Sequence, residues 1–163
     1  AIQGTLTEAL LKLDAFRRAE GASMGQELRA LCGVAAGQIE AIARRAPQVV
    51  IDYRDRLQER VRDLLSTLEA SVGSADLIRE VSIFAERCDI TEELTRMRSH
   101  LGQFESFLDA DASQGRKLDF LSQEMFREVN TIGAKANDVE IAHAVVEMKA
   151  AVEKIREILQ NVE

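Results

Sequence analysis

A chain of 163 residues, 46% of them apolar and 30% charged, is long enough to bury one core and falls among globular proteins. One proline, no tryptophan, one tyrosine and 4% aromatics leave few turn breakers and few strand formers, so an all-α fold is expected. With 21 Lys and Arg against 28 Asp and Glu the net charge is −7, which repels a phosphate backbone overall and confines nucleic-acid contact to a local basic face, additional chain or divalent cations.

Cys32 and Cys88 are far apart and outside any C-x-x-C spacing, which excludes a disulfide framework and a zinc knuckle and fits a reducing cytoplasm. No apolar run approaches the roughly 20 residues of a membrane span, and the start lacks a signal pattern. The chain opens at Ala1 with helical spacing already under way at Leu6, Leu10 and Leu13, as expected of a fragment of a larger protein.

Apolar residues recur three and four apart along the whole chain. The first stripe runs from Leu6 to Leu13 and on through Met24, Leu28, Leu31, Ala35, Ile39 and Ile42; Gly21 and Gly25 either break it or lie within one long helix. Pro47 suits the first turn of a second helix carrying Val50, Tyr53, Leu57, Val61, Leu64 and Leu68, closed by Ser71-Val72-Gly73-Ser74. A short helix with Leu77, Val81 and Phe84 follows. Asp89-Ile90-Thr91-Glu92 reads as a capping box opening a helix whose stripe is Ile90, Leu94, Met97, Leu101, Phe104 and Leu108, regular enough for a coiled coil.

A polar loop spans Asp109 to Gly115, after which Leu118, Leu121, Met125 and Ile132 mark the next helix. Asp138 caps the last one, with Ile141, Val145, Met148, Val152, Ile155 and Leu159 facing inward. Long helices with short connections pack as antiparallel hairpins in an elongated bundle. Residues 1–88 form a long helical hairpin region and 89–163 a C-terminal three-helix region, together one continuous helical unit.

Polar residues form rows beside these stripes. Glu93, Arg96 and His100 share one face of their helix; Asp119, Gln123, Arg127 and Asn130 follow a second row, and Glu124, Glu128, Thr131 and Lys135 a third beside it. A carboxylate, a guanidinium and an imidazole in line can hold a metal, orient a water or grip a phosphate, but surface ion pairing accounts for the same spacing. Glu140, His143 and Glu147 make a further row, short of the H-E-x-x-H arrangement of zinc sites. Six arginines between Arg44 and Arg62 face Asp52, Asp55 and Glu59, a pattern of solvated pairs such as Asp52 with Arg56 rather than a phosphate track. Nucleotide-binding glycine motifs, a G-x-S-x-G elbow and a local catalytic cysteine signature are all missing.

The wording of the chain is more specific than its spacing. Gly115-Arg116-Lys117-Leu118-Asp119-Phe120-Leu121-Ser122-Gln123-Glu124-Met125, then Arg127-Glu128-Val129-Asn130-Thr131-Ile132-Gly133 and Lys135-Ala136-Asn137, resembles the signature of the YicC/YloC family of bacterial endoribonucleases. Asp89-Ile90-Thr91-Glu92-Glu93-Leu94, with Arg96, Arg98 and Ser99-His100-Leu101, is similar to its other long motif, and the ending from Glu153 to Glu163 to its C-terminus. The resemblance covers essentially the whole chain as the C-terminal helical part of such a protein. Phe126 departs from it, standing where a polar residue is expected, and so does Ala134, where serine is usual; Phe126 weakens the expectation that this edge of the helix contacts RNA.

The resemblance implies a cytoplasmic endoribonuclease that hydrolyses RNA with Mg2+ or Mn2+ and assembles as a homo-oligomer, a hexamer at full length. It implies Glu93, His100, Glu124 and Glu128 as catalytic residues, with Glu93, Glu124 and Glu128 holding the metal and His100 shuttling a proton. Arg96, Arg116, Arg127, Asn130 and Lys135 would contact RNA or steady the phosphate. Two alternatives remain open: His100 deprotonating the RNA 2′-hydroxyl without metal, and a helical oligomerisation or adaptor module inactive by itself.

Overall fold

The computed structural model describes residues 2–67, 74–110 and 114–160. It contains five helices, α1 (Ile2–Thr67), α2 (Ser74–Arg87), α3 (Thr91–Leu108), α4 (Gly115–Lys135) and α5 (Val139–Leu159), and no strand among the described residues. The fold is all-α, as the composition predicts. Leu68 with the terminator at Ser71 to Gly73, the loop centre at Asp111 to Ser113, and Asn161 to Glu163 lie outside the described residues.

Six expected segments become five because Pro47 does not open a helix; it lies inside the 66-residue α1. An interior proline removes a backbone hydrogen bond and costs about 3 kcal/mol. Ile39, Ile42 and Val49 are buried on either side of it, and burial of each such side chain is worth about 1.5–3 kcal/mol, so packing outweighs the break. Gly21 and Gly25 lie within the same helix.

The start of α1 keeps helical spacing without burial: Leu6, Leu10 and Leu13 are 50–59% exposed, and Leu11 and Phe16 are exposed beside them. From Leu28 onward the stripe enters a core that continues through Cys32, Ala35, Ile39 and Ile42 into the stripes of α3, α4 and α5. Helices on both sides of residue 88 therefore share one core. Farther along α1, Tyr53 stacks on Phe84 of α2 with ring centroids 3.7 Å apart.

The capping motif before α3 is half formed. Asp89 accepts from the Thr91 N–H at 2.9 Å, while Glu92, instead of reaching back, pairs with Arg96 one turn later. Asp138 caps α5 as expected, accepting from the N–H groups of Glu140 and Ile141 at 3.0 and 3.1 Å. The same carboxylate receives Arg45 of α1 at 2.7 Å, tying the start of α5 to the long helix. Arg45 also takes Asp52, which accepts from Gln48 as well; these two, not Arg56, are its hydrogen-bond partners. At the far end of α4, a Cβ on Gly133 would stand 3.0 Å from Val145, so glycine allows α4 and α5 to close on each other there.

Candidate active site between α3 and α4

The apolar stripes of α3 and α4 face each other, and that registers the polar row beside one stripe against the row beside the other. Glu93, on the edge of the α3 stripe, is 3% exposed, and Glu128, on the edge of the α4 stripe, is 1% exposed. Ionised carboxylates at such depth require partners. Arg96 supplies one, donating from Nε to Glu128 Oε1 at 3.0 Å, with a second nitrogen 3.6 Å from Glu93. Lys135, from the last turn of α4, donates to Glu93 Oε1 and to the Asp89 carbonyl, both at 2.9 Å.

Electrostatics follow from this lattice. Burial alone would raise the Glu93 carboxyl, but the Lys135 hydrogen bond and the charges of Lys135 and Arg96 outweigh it and hold Glu93 below the usual carboxylate value. The hydrogen bond to Glu128 pushes the Arg96 guanidinium up, so it stays charged.

One turn along α3 from Arg96, His100 turns toward Glu124 and Glu128. One ligand-type atom from each of the three lies within 4.8 Å of the others, the sole such trio among the described residues. Both ring nitrogens of His100 are buried and make no hydrogen bond, an expensive condition for an imidazole unless something else satisfies it. Two carboxylates and a neutral imidazole with one ring-nitrogen lone pair to offer form a donor set that suits a divalent cation. Arg127 closes the outer rim, 2.7 Å from Glu124 and 3.4 Å from Glu128, with its side chain 63% exposed.

Of the residues singled out from the sequence, His100, Glu124 and Glu128 converge, Arg127 borders them, and Glu93 with Arg96 and Lys135 forms the adjoining ion-pair lattice. Glu93 is outside the trio. Asn130 is exposed and roughly 200° around α4 from Glu128; Arg116, also exposed, lies about 12 Å along the helix from Glu124. Glu140 and His143, with Glu147, line a groove of about 600 Å3 between α1 and α5 that also exposes Arg45. Both cysteines are free, and burial, helped by Glu105, pushes the Cys32 thiol up to about 12. Sequence spacing missed Lys149 and Arg156 of α5, which flank Phe126; their seven-residue separation, two helical turns, was the available signal.

Fold and site together define an all-helical protein that presents a histidine–carboxylate centre, bordered by arginines, between two antiparallel helices. The chain belongs to the YicC-like endoribonuclease family: residues 42–163 match the family described as "Endoribonuclease YicC-like, C-terminal". It is 42% identical over 156 residues to a protein of Clostridioides difficile (strain 630) named "Probable endoribonuclease YicC", covering 96% of this chain and 53% of that protein. A protein of the same name from Haemophilus influenzae is 31% identical over 149 residues, covering 91% of this chain and 50% of its own length. The chain thus spans about half the length of these relatives. None of its described helices is long and apolar enough to cross a membrane.

Proposed function

We propose that this chain carries the RNA-cleaving centre of an endoribonuclease and that His100, Glu124 and Glu128 hold a divalent cation there, Mn2+ or Mg2+. The convergence of those three side chains, with both nitrogens of His100 left without a hydrogen bond, carries the reading. RNA as substrate rests on the names of the relatives. An imidazole beside two carboxylates favours Mn2+ over Mg2+, which prefers oxygen donors alone. When bound, the cation supplies a water activated at neutral pH and neutralises charge on the phosphate.

The chain's own residues do the rest. Arg127, exposed on the rim, meets the phosphate of the strand, and Arg96 fixes the orientation of the buried Glu128. Glu93, a metal ligand in the sequence-based expectation, acts here as a positioning residue that anchors Arg96 and Lys135. Glu124→Gln is the test: cleavage falls at least about 100-fold, Mn2+ binding by calorimetry weakens, and the helical circular dichroism is unchanged. If Glu124→Gln cuts at the wild-type rate, the assignment fails.

A second reading, in which the chain is a helical association module, is favoured by the exposed leucines and Phe16 at the start of α1. Sizing chromatography with a cleavage assay, on this chain and on a protein of its relatives' full length, separates the two. Association without cleavage in both selects the module.

A further inference from the structure

Phe126 lies on the side of α4 turned away from the His100–Glu124–Glu128 trio, at the seam with α5. Its ring is partly buried, and two cations stand over it: Lys149 Nζ is 5.2 Å and the Arg156 guanidinium carbon 5.1 Å from the centroid. Neither cation makes an ion pair with a carboxylate among the described residues. In a chain of net charge −7, Lys149 and Arg156 are held together over one ring, whereas Lys117 stands alone over Phe107. A ring quadrupole orients cations without neutralising them, so both charges remain available to an outside anion.

We propose that Lys149 and Arg156, seated on Phe126, form a second phosphate-binding subsite for a single-stranded RNA substrate, on the opposite flank of α4 from the cleavage centre. The proposal rests on the functional reading above, that the chain acts on RNA. Charge complementarity selects the occupant: two unpaired cations call for a polyanion, and a strand passing over the exposed face of α4 reaches Arg127 on its way to the trio. The helix between is about 10–12 Å across with its side chains, a distance a few nucleotides span. Phenylalanine at this position, which by itself argues against RNA contact, becomes the support on which the two cations are held.

The experiment measures binding of a single-stranded RNA oligonucleotide by fluorescence anisotropy in Mg2+ over a salt series, on the Glu124→Gln background so that the strand is not cut. Lys149→Gln with Arg156→Gln weakens binding about 10-fold near 0.1 M salt and flattens the log–log salt slope by about 1.4, two phosphates at about 0.7 each. Phe126→Leu keeps both charges and gives a smaller loss. Lys154→Gln with Arg98→Gln, which removes the same charge from cations already facing Glu27 and Glu40, leaves the slope within error. With Glu124 restored, Lys149→Gln with Arg156→Gln raises KM for RNA and leaves kcat unchanged. An unchanged slope in the Lys149/Arg156 pair, or an equal loss in the Lys154/Arg98 pair, overturns the subsite. Full-rate cleavage by the Glu124→Gln parent overturns instead the assignment of the cleavage centre, and the same binding comparison made on a nuclease-resistant phosphorothioate 2′-O-methyl strand then decides the subsite.

Discussion

Arg96 of α3 and Glu128 of α4 meet through a 3.0 Å hydrogen bond from Nε to Oε1, and Glu128, at 1% exposure, is among the most deeply buried side chains of the protein. The bond fixes the register between the two helices that bear the candidate site, because a slip of one residue on either would strand a carboxylate in the core. Arg96→Gln therefore lowers the melting temperature by several degrees and more than Glu92→Gln does, because it removes the pairs with Glu93 and Glu128 as well as the exposed, screened pair with Glu92, which is all that Glu92→Gln removes. Equal losses from the two would show that the buried contact contributes nothing special.

A single 2′-deoxy sugar at the cleaved position distinguishes metal-assisted hydrolysis from 2′-hydroxyl cyclisation. Hydrolysis survives it and leaves no cyclic phosphate end; EDTA abolishes cleavage and excess Mn2+ restores it. Loss of cleavage on the deoxy substrate, with activity persisting in EDTA, would assign His100 as a base acting on the 2′-hydroxyl.

Asp138 gives the fold an acid-sensitive joint. The Arg45 hydrogen bond, with the N–H groups of Ile141 and Glu140, outweighs burial and holds its carboxyl below the usual value of about 3.9. A carboxyl whose folded pKa is depressed contributes stability that is fully present above about pH 4 and is lost as pH falls through the lower folded value. The melting temperature of the wild type should fall below pH 4 more steeply than that of Asp138→Asn, which keeps a capping oxygen without the charge. Asp138→Ala, which loses the cap, costs about 1 kcal/mol at neutral pH.

Gly133→Ala sets helix propensity against packing. Alanine favours an interior helical position by about 1 kcal/mol over glycine, but its Cβ would meet Val145 at 3.0 Å across the α4–α5 seam. Val145 is buried and has little room to move, so Gly133→Ala destabilises, and adding Val145→Ala recovers part of the loss. A strictly additive double variant would show that the two positions do not touch.

The exposed start of α1 predicts association. Leu10→Gln with Phe16→Gln shifts the sizing-column elution of this chain toward a smaller species without lowering its helical signal, since neither side chain is buried within the chain. Identical elution profiles would leave those residues without a partner surface.

Periodicity determines that the chain is helical and which faces of α3, α4 and α5 turn inward, because an apolar stripe three and four residues apart lies on one face of a helix; those stripes are buried almost throughout, and Asp138 caps where a capping residue was expected. The order of motifs determines the family. Spacing also places Glu93, Arg96 and His100 on one face of α3 and Glu124 and Glu128 on one face of α4. It carries no information on which residue of one row meets which of the other, since that depends on the offset and rotation set when two stripes interlock. Tertiary packing decides that His100 turns to Glu124 and Glu128 while Glu93 goes to Lys135, that Lys149 and Arg156 gather on Phe126, and that Pro47 is carried through the middle of α1, where burial on both sides outweighs the hydrogen bond it removes.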